Sequence, residues 1–250
     1  MALQEELKTQ GDFLFKNRSY LPLIILVIGL SVFIHTEYYE IEGPETWLSE
    51  NFEFICLGIS LLGLYIRIVT VGHTPKGTSG RNTKAGQVAD ELNTTGIYSV
   101  VRHPLYVGNF FMWLGVAMLT ENAWFSIAFI FFYAFYYERI MYAEENFLRT
   151  KFGQGYLAWA ENVPAFIPSF RNYVSPKYSF SLRKVLKKEK NGLCAVFLLF
   201  WIFDLVGDFI EDEPFEFEMG FWFYGAIIST VVYLILKIMK KRKMLEEVNR

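Results

Sequence analysis

Apolar residues run in long blocks along this chain, and short polar stretches separate them. Six blocks reach or approach the length of a bilayer-crossing helix: Tyr20–Ile34, Phe54–Val71, Leu105–Leu119, Trp124–Tyr142, Leu193–Phe209 and Gly220–Met239. A helix rises about 1.5 Å per residue, so about 20 residues cover the hydrocarbon layer. The first and third blocks are shorter and lean on interfacial residues such as Tyr20, Tyr38 and Tyr39. The pattern predicts an all-α fold, a polytopic membrane helix bundle of about six transmembrane helices. The first 19 residues are polar and carry no apolar core followed by a small-residue cleavage site, so no cleavable signal peptide is expected.

Composition agrees: 53% of the 250 residues are hydrophobic, 18% aromatic and only 20% charged. Such a chain is neither a water-soluble enzyme nor disordered. The net charge of −2 reveals little about partners, and no nucleic-acid partner is expected. Cys56 and Cys194 sit inside apolar blocks, so no disulfide framework or zinc spacing exists and no metal site is expected.

Charge orients the spans. The connections His35–Glu53, Thr120–Ala123 and Ile210–Met219 contain acidic residues and no Lys or Arg. All 24 basic residues fall in the N-terminus, Gly72–Pro104, Ala143–Gly192 and the C-terminal tail, or at adjoining helix ends. Basic residues mark the cytoplasmic side, which predicts both termini inside. Asp204, Asp208 and Asp212 share one helical face at the fifth span. They read either as intramembrane functional acids or as acids in the outer headgroup region.

Polar chemistry concentrates in two cytoplasmic segments. Thr74–Gly86 is rich in Gly, Thr and Ser and predicts a flexible loop over a site. Asn93-Thr-Thr-Gly-Ile-Tyr98 follows, then Val100-Val-Arg-His-Pro-Leu-Tyr-Val-Gly-Asn109 runs into the third span. Arg102 and His103 stand at the mouth of that helix, and Pro104 suits its first turn. Free N–H groups and the dipole there favour an anion. Gly108 admits either a packed helix or a ligand at close range. Glu144 and Glu145 sit where the fourth span exits, against the local dipole, and require a positive or hydroxyl-rich partner. Beyond them Leu148, Phe152, Tyr156 and Trp159 fall on one face of a predicted interfacial helix, ending at Val163-Pro-Ala-Phe-Ile-Pro168. The turn between the third and fourth spans has four residues, so these helices are antiparallel neighbours. Arg102, His103 and Tyr106 should therefore face Glu138, Arg139, Glu144 and Glu145.

In order, Thr-Thr-Gly-Ile-Tyr, Arg-His-Pro-Leu-Tyr-Val-Gly, Glu-Glu-x-x-Leu-x-x-x-Phe-Gly-x-x-Tyr-x-x-Trp and Val-Pro-x-Phe-Ile-Pro resemble the isoprenylcysteine carboxyl methyltransferase and phospholipid methyltransferase family. The resemblance covers about 92–168. It divides the chain into N-terminal helices and loop (1–91), a methyltransferase core (92–168), and a basic linker with two further helices (169–250). It implies S-adenosyl-L-methionine as cofactor in a cytoplasmic-side pocket and a lipidic acceptor arriving from the bilayer. By the same resemblance, Asn93, Thr94, Thr95, Gly96 and Tyr98 contact the cofactor. His103, Tyr106, Val107, Gly108 and Asn109 line its pocket, Glu144 holds its polar groups and Glu145 supports. Arg102 and Arg139 are the candidate catalytic residues, suited to holding an anionic acceptor. An amine acceptor would instead need a base, with Glu138 and Glu145 as candidates. Where the family's prenylcysteine enzymes carry an arginine for the acceptor this chain has Ile140, and Asn162 stands where a basic residue is usual before Val-Pro. The alternative is a sterol-reductase-like NADPH-dependent oxidoreductase, which Arg-His-Pro-Leu-Tyr and Glu144-Glu145-Asn146-Phe147 fit less well. A channel or transporter would need polar residues deep in several spans.

Overall fold

The computed structural model describes residues 2–39, 47–75, 82–83, 86–211, 217 and 219–246. Each expected span falls inside one helix to within a residue of the helix ends. In chain order these are α1 (Leu3–Asn17), α2 (Leu21–Tyr38), α3 (Trp47–Glu50), α4 (Phe52–His73), α5 (Pro104–Met118), α6 (Ala123–Phe152), α7 (Gln154–Ala160), α8 (Leu182–Glu211) and α9 (Phe221–Lys241). α4, α8 and α9 are each long and apolar enough to cross a membrane alone. α1 and α2 meet at a 77° bend and qualify together as one broken span, while α5 is a shorter apolar helix of 15 residues. The bundle is that of an integral membrane protein. A pair of two-residue strands, Asn82–Thr83 against Gly86–Gln87, forms an antiparallel hairpin in the loop after α4. Much of the expected flexible stretch there, 76–81 and 84–85, lies outside the described residues, as do Asp212 and most of the acidic segments 40–46 and 212–218. Asp204 and Asp208 stay within α8, which runs on to Glu211.

Two apolar clusters hold the bundle. One joins Phe33 of α2, Cys56 and Leu57 of α4, Val116 of α5, Phe200 and Phe203 of α8 and Trp222 of α9. The other joins Phe15 of α1 to Tyr106 of α5 and to Phe129, Tyr133, Tyr136, Tyr137 and Ile140 of α6. α4 and α5 pack with almost no side chain between them. A Cβ at Gly63 would lie 2.4 Å from the Gly108 carbonyl oxygen and 2.5 Å from the Met112 nitrogen, and one at Gly115 2.2 Å from Ser60 Oγ. Small residues let helix backbones approach in lipid, where dispersion and polar contacts replace the hydrophobic force. Overpacking of this kind costs about 1–3 kcal/mol. Gly63→Val should therefore lower the melting temperature in detergent by several degrees, and an unchanged melt would show that α4 and α5 can separate freely.

The α5–α6 turn is fixed locally. Asn122 Oδ1 accepts from the Phe125 N–H at 3.0 Å, capping α6, and the buried Thr120 hydroxyl donates to the Ala117 carbonyl at 2.8 Å. Antiparallel helices then carry His103 at one end and Glu144 at the other to the same level. The interfacial helix expected through Trp159 is broken. α6 runs ten residues past Tyr142 to Phe152, Gly153 takes φ +55°, and α7 turns back from there. Only glycine accepts that backbone without strain.

Candidate active site

The stretch before α5, a short 3-10 turn over Gly96–Ser99 followed by irregular chain, is held by backbone hydrogen bonds against the segment after α7. The Arg102 N–H donates to the Pro164 carbonyl at 2.9 Å, the His103 N–H to Ala165 at 3.2 Å, and the Ser169 N–H to Val100 at 3.0 Å. This pairing leaves Arg102 and His103 pointing at the acid pair of α6. His103 lies between the two carboxylates, with Nε2 2.9 Å from Glu145 Oε1 and Nδ1 3.6 Å from Glu144 Oε2. The Tyr106 hydroxyl donates to Glu144 Oε2 at 2.7 Å, and its ring stacks on the His103 imidazole at 5.5 Å. Arg102 donates from Nε to Glu145 Oε1 at 2.9 Å and from Nη2 to Oε2 at 3.4 Å. Its Nη1 reaches the carbonyls of Ala160 at 2.7 Å and Val163 at 2.9 Å.

Charge follows from this geometry. Burial alone would lower the pKa of His103, but its hydrogen bonds and attraction to Glu144 and Glu145 raise it above the ordinary histidine value. Burial alone would raise both carboxyls, and the contacts with His103 hold both below the carboxylate range. The site is an imidazolium between two carboxylates. Its carboxylate contribution to stability is present above about pH 4.3 and lost as pH falls through the depressed folded values. The His103 contribution is present below about pH 6.5 and lost as pH rises through the raised folded value. The melting-temperature gap between wild type and His103→Gln should therefore shrink as pH rises through His103's raised pKa. A gap that widened on the alkaline side would contradict the imidazolium.

These groups form one wall of a cavity of about 790 Å³, its open mouth included. Of the expected site residues, Asn93, Tyr98, Arg102, His103, Tyr106 and Glu144 border it. The other expected site residues do not line it. Glu145 lies behind, holding Arg102 and His103. Thr94 is off the wall, the Thr95 hydroxyl accepts from the Lys177 N–H at 3.1 Å, and Gly96, at φ +63°, packs on Pro176. Val107 is buried, Gly108 faces Arg67 of α4, and Asn109 Oδ1 accepts from Arg67 Nη1 at 2.5 Å. For Gly108 the helix-packing alternative is the one realised. Arg139 turns to α1, donating to Gln10 Oε1 at 2.9 Å.

The rest of the wall was not foreseen. Leu148, Tyr156 and Trp159, read as a membrane-facing stripe, border the cavity instead. Phe15 comes from α1, and Gln87, Val88, Ala89, Glu91 and Leu92 come from the loop before Asn93. Among the described residues, two buried polar atoms on this wall make no close hydrogen bond, Gln87 Oε1 and the Tyr156 hydroxyl, the latter lying near the Glu145 carboxylate. Burial, with the charge of Glu145 nearby, pushes the Tyr156 pKa up, so the hydroxyl keeps its proton and can donate. Such groups are costly to bury unless a ligand or water meets them. No group of three or more His, Cys, Asp or Glu among the described residues is arranged to hold a metal ion.

Comparison with known proteins converges on the same region. The family model for phospholipid methyltransferase matches residues 54–155, from α4 through the acid pair. The chain is 39% identical over 80 residues to protein-S-isoprenylcysteine O-methyltransferase B of Arabidopsis thaliana, covering 31% of this chain and 40% of that protein. It is 30% identical over 151 residues to the A enzyme of the same plant, covering 60% and 68%. It is also 31% identical over 166 residues to the cobalt-zinc-cadmium resistance protein CzcN of Cupriavidus metallidurans, covering 65% and 68%. The matches thus span from two fifths to about two thirds of these relatives' lengths. No solved structure matches the chain. With the Arg-His-Pro mouth, the acid pair and the helical hairpin joined at one cavity, and with relatives aligned across them, the chain belongs to the isoprenylcysteine carboxyl methyltransferase and phospholipid methyltransferase family.

Proposed function

We propose that this protein is an integral-membrane methyltransferase that binds S-adenosyl-L-methionine in the cavity beside Glu144 and methylates a lipidic acceptor arriving from the bilayer. The observation that carries this reading is the cavity wall. It joins a carboxylate, Glu144, to aromatic side chains at Tyr98, Tyr106 and Trp159 and to two buried polar atoms that make no close hydrogen bond among the described residues. That donor set fits a nucleoside with a cationic centre. Glu144 already takes Tyr106 and His103 on Oε2, so Oε1 is the oxygen offered to ribose hydroxyls. The amide of Asn93, Gln87 Oε1 and the Tyr156 hydroxyl supply further polar contacts, and the tyrosine faces favour a sulfonium. When bound, the cofactor supplies an electrophilic methyl group.

What the protein adds is alignment and dryness. Phe15, Leu148 and Phe147 close the apolar sides of the cavity. Arg102 serves as a positioning group, since Nε, Nη1 and Nη2 all hold Glu145 or the chain around α7. Arg139, directed at α1, takes no part in the cavity wall. The basic segments support an inner-side position for the cavity and both termini, since basic residues favour the cytoplasmic face.

Calorimetric titration of the purified protein with S-adenosylhomocysteine and, separately, with NADPH tests the cofactor. Heat with the first alone supports the reading, and heat with NADPH alone would replace it by the oxidoreductase. Lipids extracted from cells with and without active protein should then differ by the mass of one methylene group. Identical lipid spectra would remove the lipidic acceptor.

A further inference from the structure

The segment between α7 and α8 lies beyond the region matched by the family model, yet it is fastened to described residues at both ends of the α4–α5 connection, of which Gln87, Glu91 and Asn93 border the cavity. At the α4 end, the Ser181 N–H donates to the Gly72 carbonyl at 2.9 Å. His73 Nδ1 lies 2.9 Å from the Tyr178 carbonyl oxygen, and the Phe180 ring lies against Gly72 and His73. Lys184 donates to the Thr74 carbonyl and hydroxyl and, at 2.8 Å, to the Pro75 carbonyl. At the other end, the Gly96 N–H donates to the Val174 carbonyl at 2.8 Å, and the Val174 N–H to Ser99 Oγ at 2.9 Å. Glu91, which borders the cavity, is held from both sides. Lys177 Nζ pairs with its Oε1, and the Tyr178 hydroxyl donates to its Oε2 at 2.8 Å.

The two attachments differ in kind. Lys184 is 8% exposed, so its grip on three oxygens is a permanent anchor. The Lys177 and Glu91 side chains are 58% and 39% exposed, so that pair can open into water and is screened by salt. We propose that 173–184 is a strap across the segment that borders the cavity, fixed at Lys184 and latched at Glu91 by Lys177 and Tyr178. The latch controls how long a nucleoside sulfonium ligand stays in the site. The strap's contacts with the chain stand on their own, while its effect on that ligand rests on the function proposed above.

Dissociation of S-adenosylhomocysteine from the full-length protein in nanodiscs reads the latch directly. The Lys177→Ala/Tyr178→Phe double variant should release it about tenfold faster with a smaller change in association rate, since affinity differences fall mostly on dissociation. Raising ionic strength from about 0.01 M to about 1 M shortens the Debye length from about 30 Å to about 3 Å. Wild-type release should accelerate over that range, and release from Lys177→Ala should not. Lys187→Ala, which removes an amine paired with Glu246 at 3.9 Å and away from Glu91, should match wild type. Equal release rates in wild type and the double variant, or an identical salt response, would overturn the latch while leaving the cofactor assignment intact. Hydrogen exchange of the 91–99 amides without ligand separates the two claims. Faster exchange in the double variant supports the strap even if wild type binds no S-adenosylhomocysteine, which would sink the cofactor reading alone. Unchanged exchange would overturn the strap.

Discussion

Glu144→Gln is expected to reduce affinity for S-adenosylhomocysteine by about tenfold to a hundredfold while the protein still folds in detergent. The reason lies in what meets this carboxylate. Its Oε2 accepts the Tyr106 hydroxyl at 2.7 Å and sits 3.6 Å from His103 Nδ1, yet 22% of the side chain remains exposed, into the cavity. The glutamine keeps the volume and one acceptor oxygen, so packing around Tyr106 survives. It removes the negative charge that opposes the imidazolium and the charge-assisted acceptor offered to ribose hydroxyls. Hydrogen bonds to a charged group are worth about 1.5–3 kcal/mol, and the upper part of that range is about a hundredfold in affinity. Titration calorimetry measures the loss, and the melting temperature checks the fold. Affinity within threefold of wild type, with an unchanged melt, would remove Glu144 from the ligand.

How much of this was legible beforehand follows from what sequence patterns encode. A four-residue turn between two apolar blocks forces an antiparallel hairpin, so Arg102, His103 and Tyr106 could be placed opposite Glu144 and Glu145 without coordinates. Side-chain direction was harder. Val107, Gly108 and Asn109 follow His103 in one helix, and consecutive helical residues point to different sides, so only part of such a run can face a cavity. The structure turns Gly108 and Asn109 to Arg67. Leu148, Tyr156 and Trp159 form an apolar stripe that would suit a lipid face or a pocket equally, and only the break at Gly153 decides for the pocket. α1 was opaque for another reason. Its pattern shows that one face is buried but not against what. A Cβ at Gly11 would lie 2.2 Å from the Arg139 carbonyl oxygen, so α1 sits on α6 and brings Phe15 to the cavity. The strap at 173–184 is largely irregular and carries no period to read.

Arg102→Ala should abolish ligand binding and turnover together, and this separates positioning from contact with an acceptor. The guanidinium joins three parts of the site. It pairs with Glu145, caps the Ala160 carbonyl at the end of α7, and binds the Val163 carbonyl of the segment that pairs with 100–103. Without it, Glu145 keeps His103 but loses one of its two cations, beside a second carboxylate. The carbonyl ending α7 loses its partner as well, and α7 carries Tyr156 and Trp159. Both Arg102 and Glu145 are mostly buried, with side chains 18% and 26% exposed, so breaking the pair costs about 3 kcal/mol. Lysine offers one compact ammonium in place of a planar fork and cannot hold a carboxylate and two carbonyls at once, so Arg102→Lys should rescue little. Calorimetry with S-adenosylhomocysteine and a turnover assay on the same preparations decide the matter. If affinity stayed at the wild-type level while turnover collapsed, the guanidinium would be acting on the acceptor. Parallel loss of both means that Arg102 builds the wall on which the donor rests.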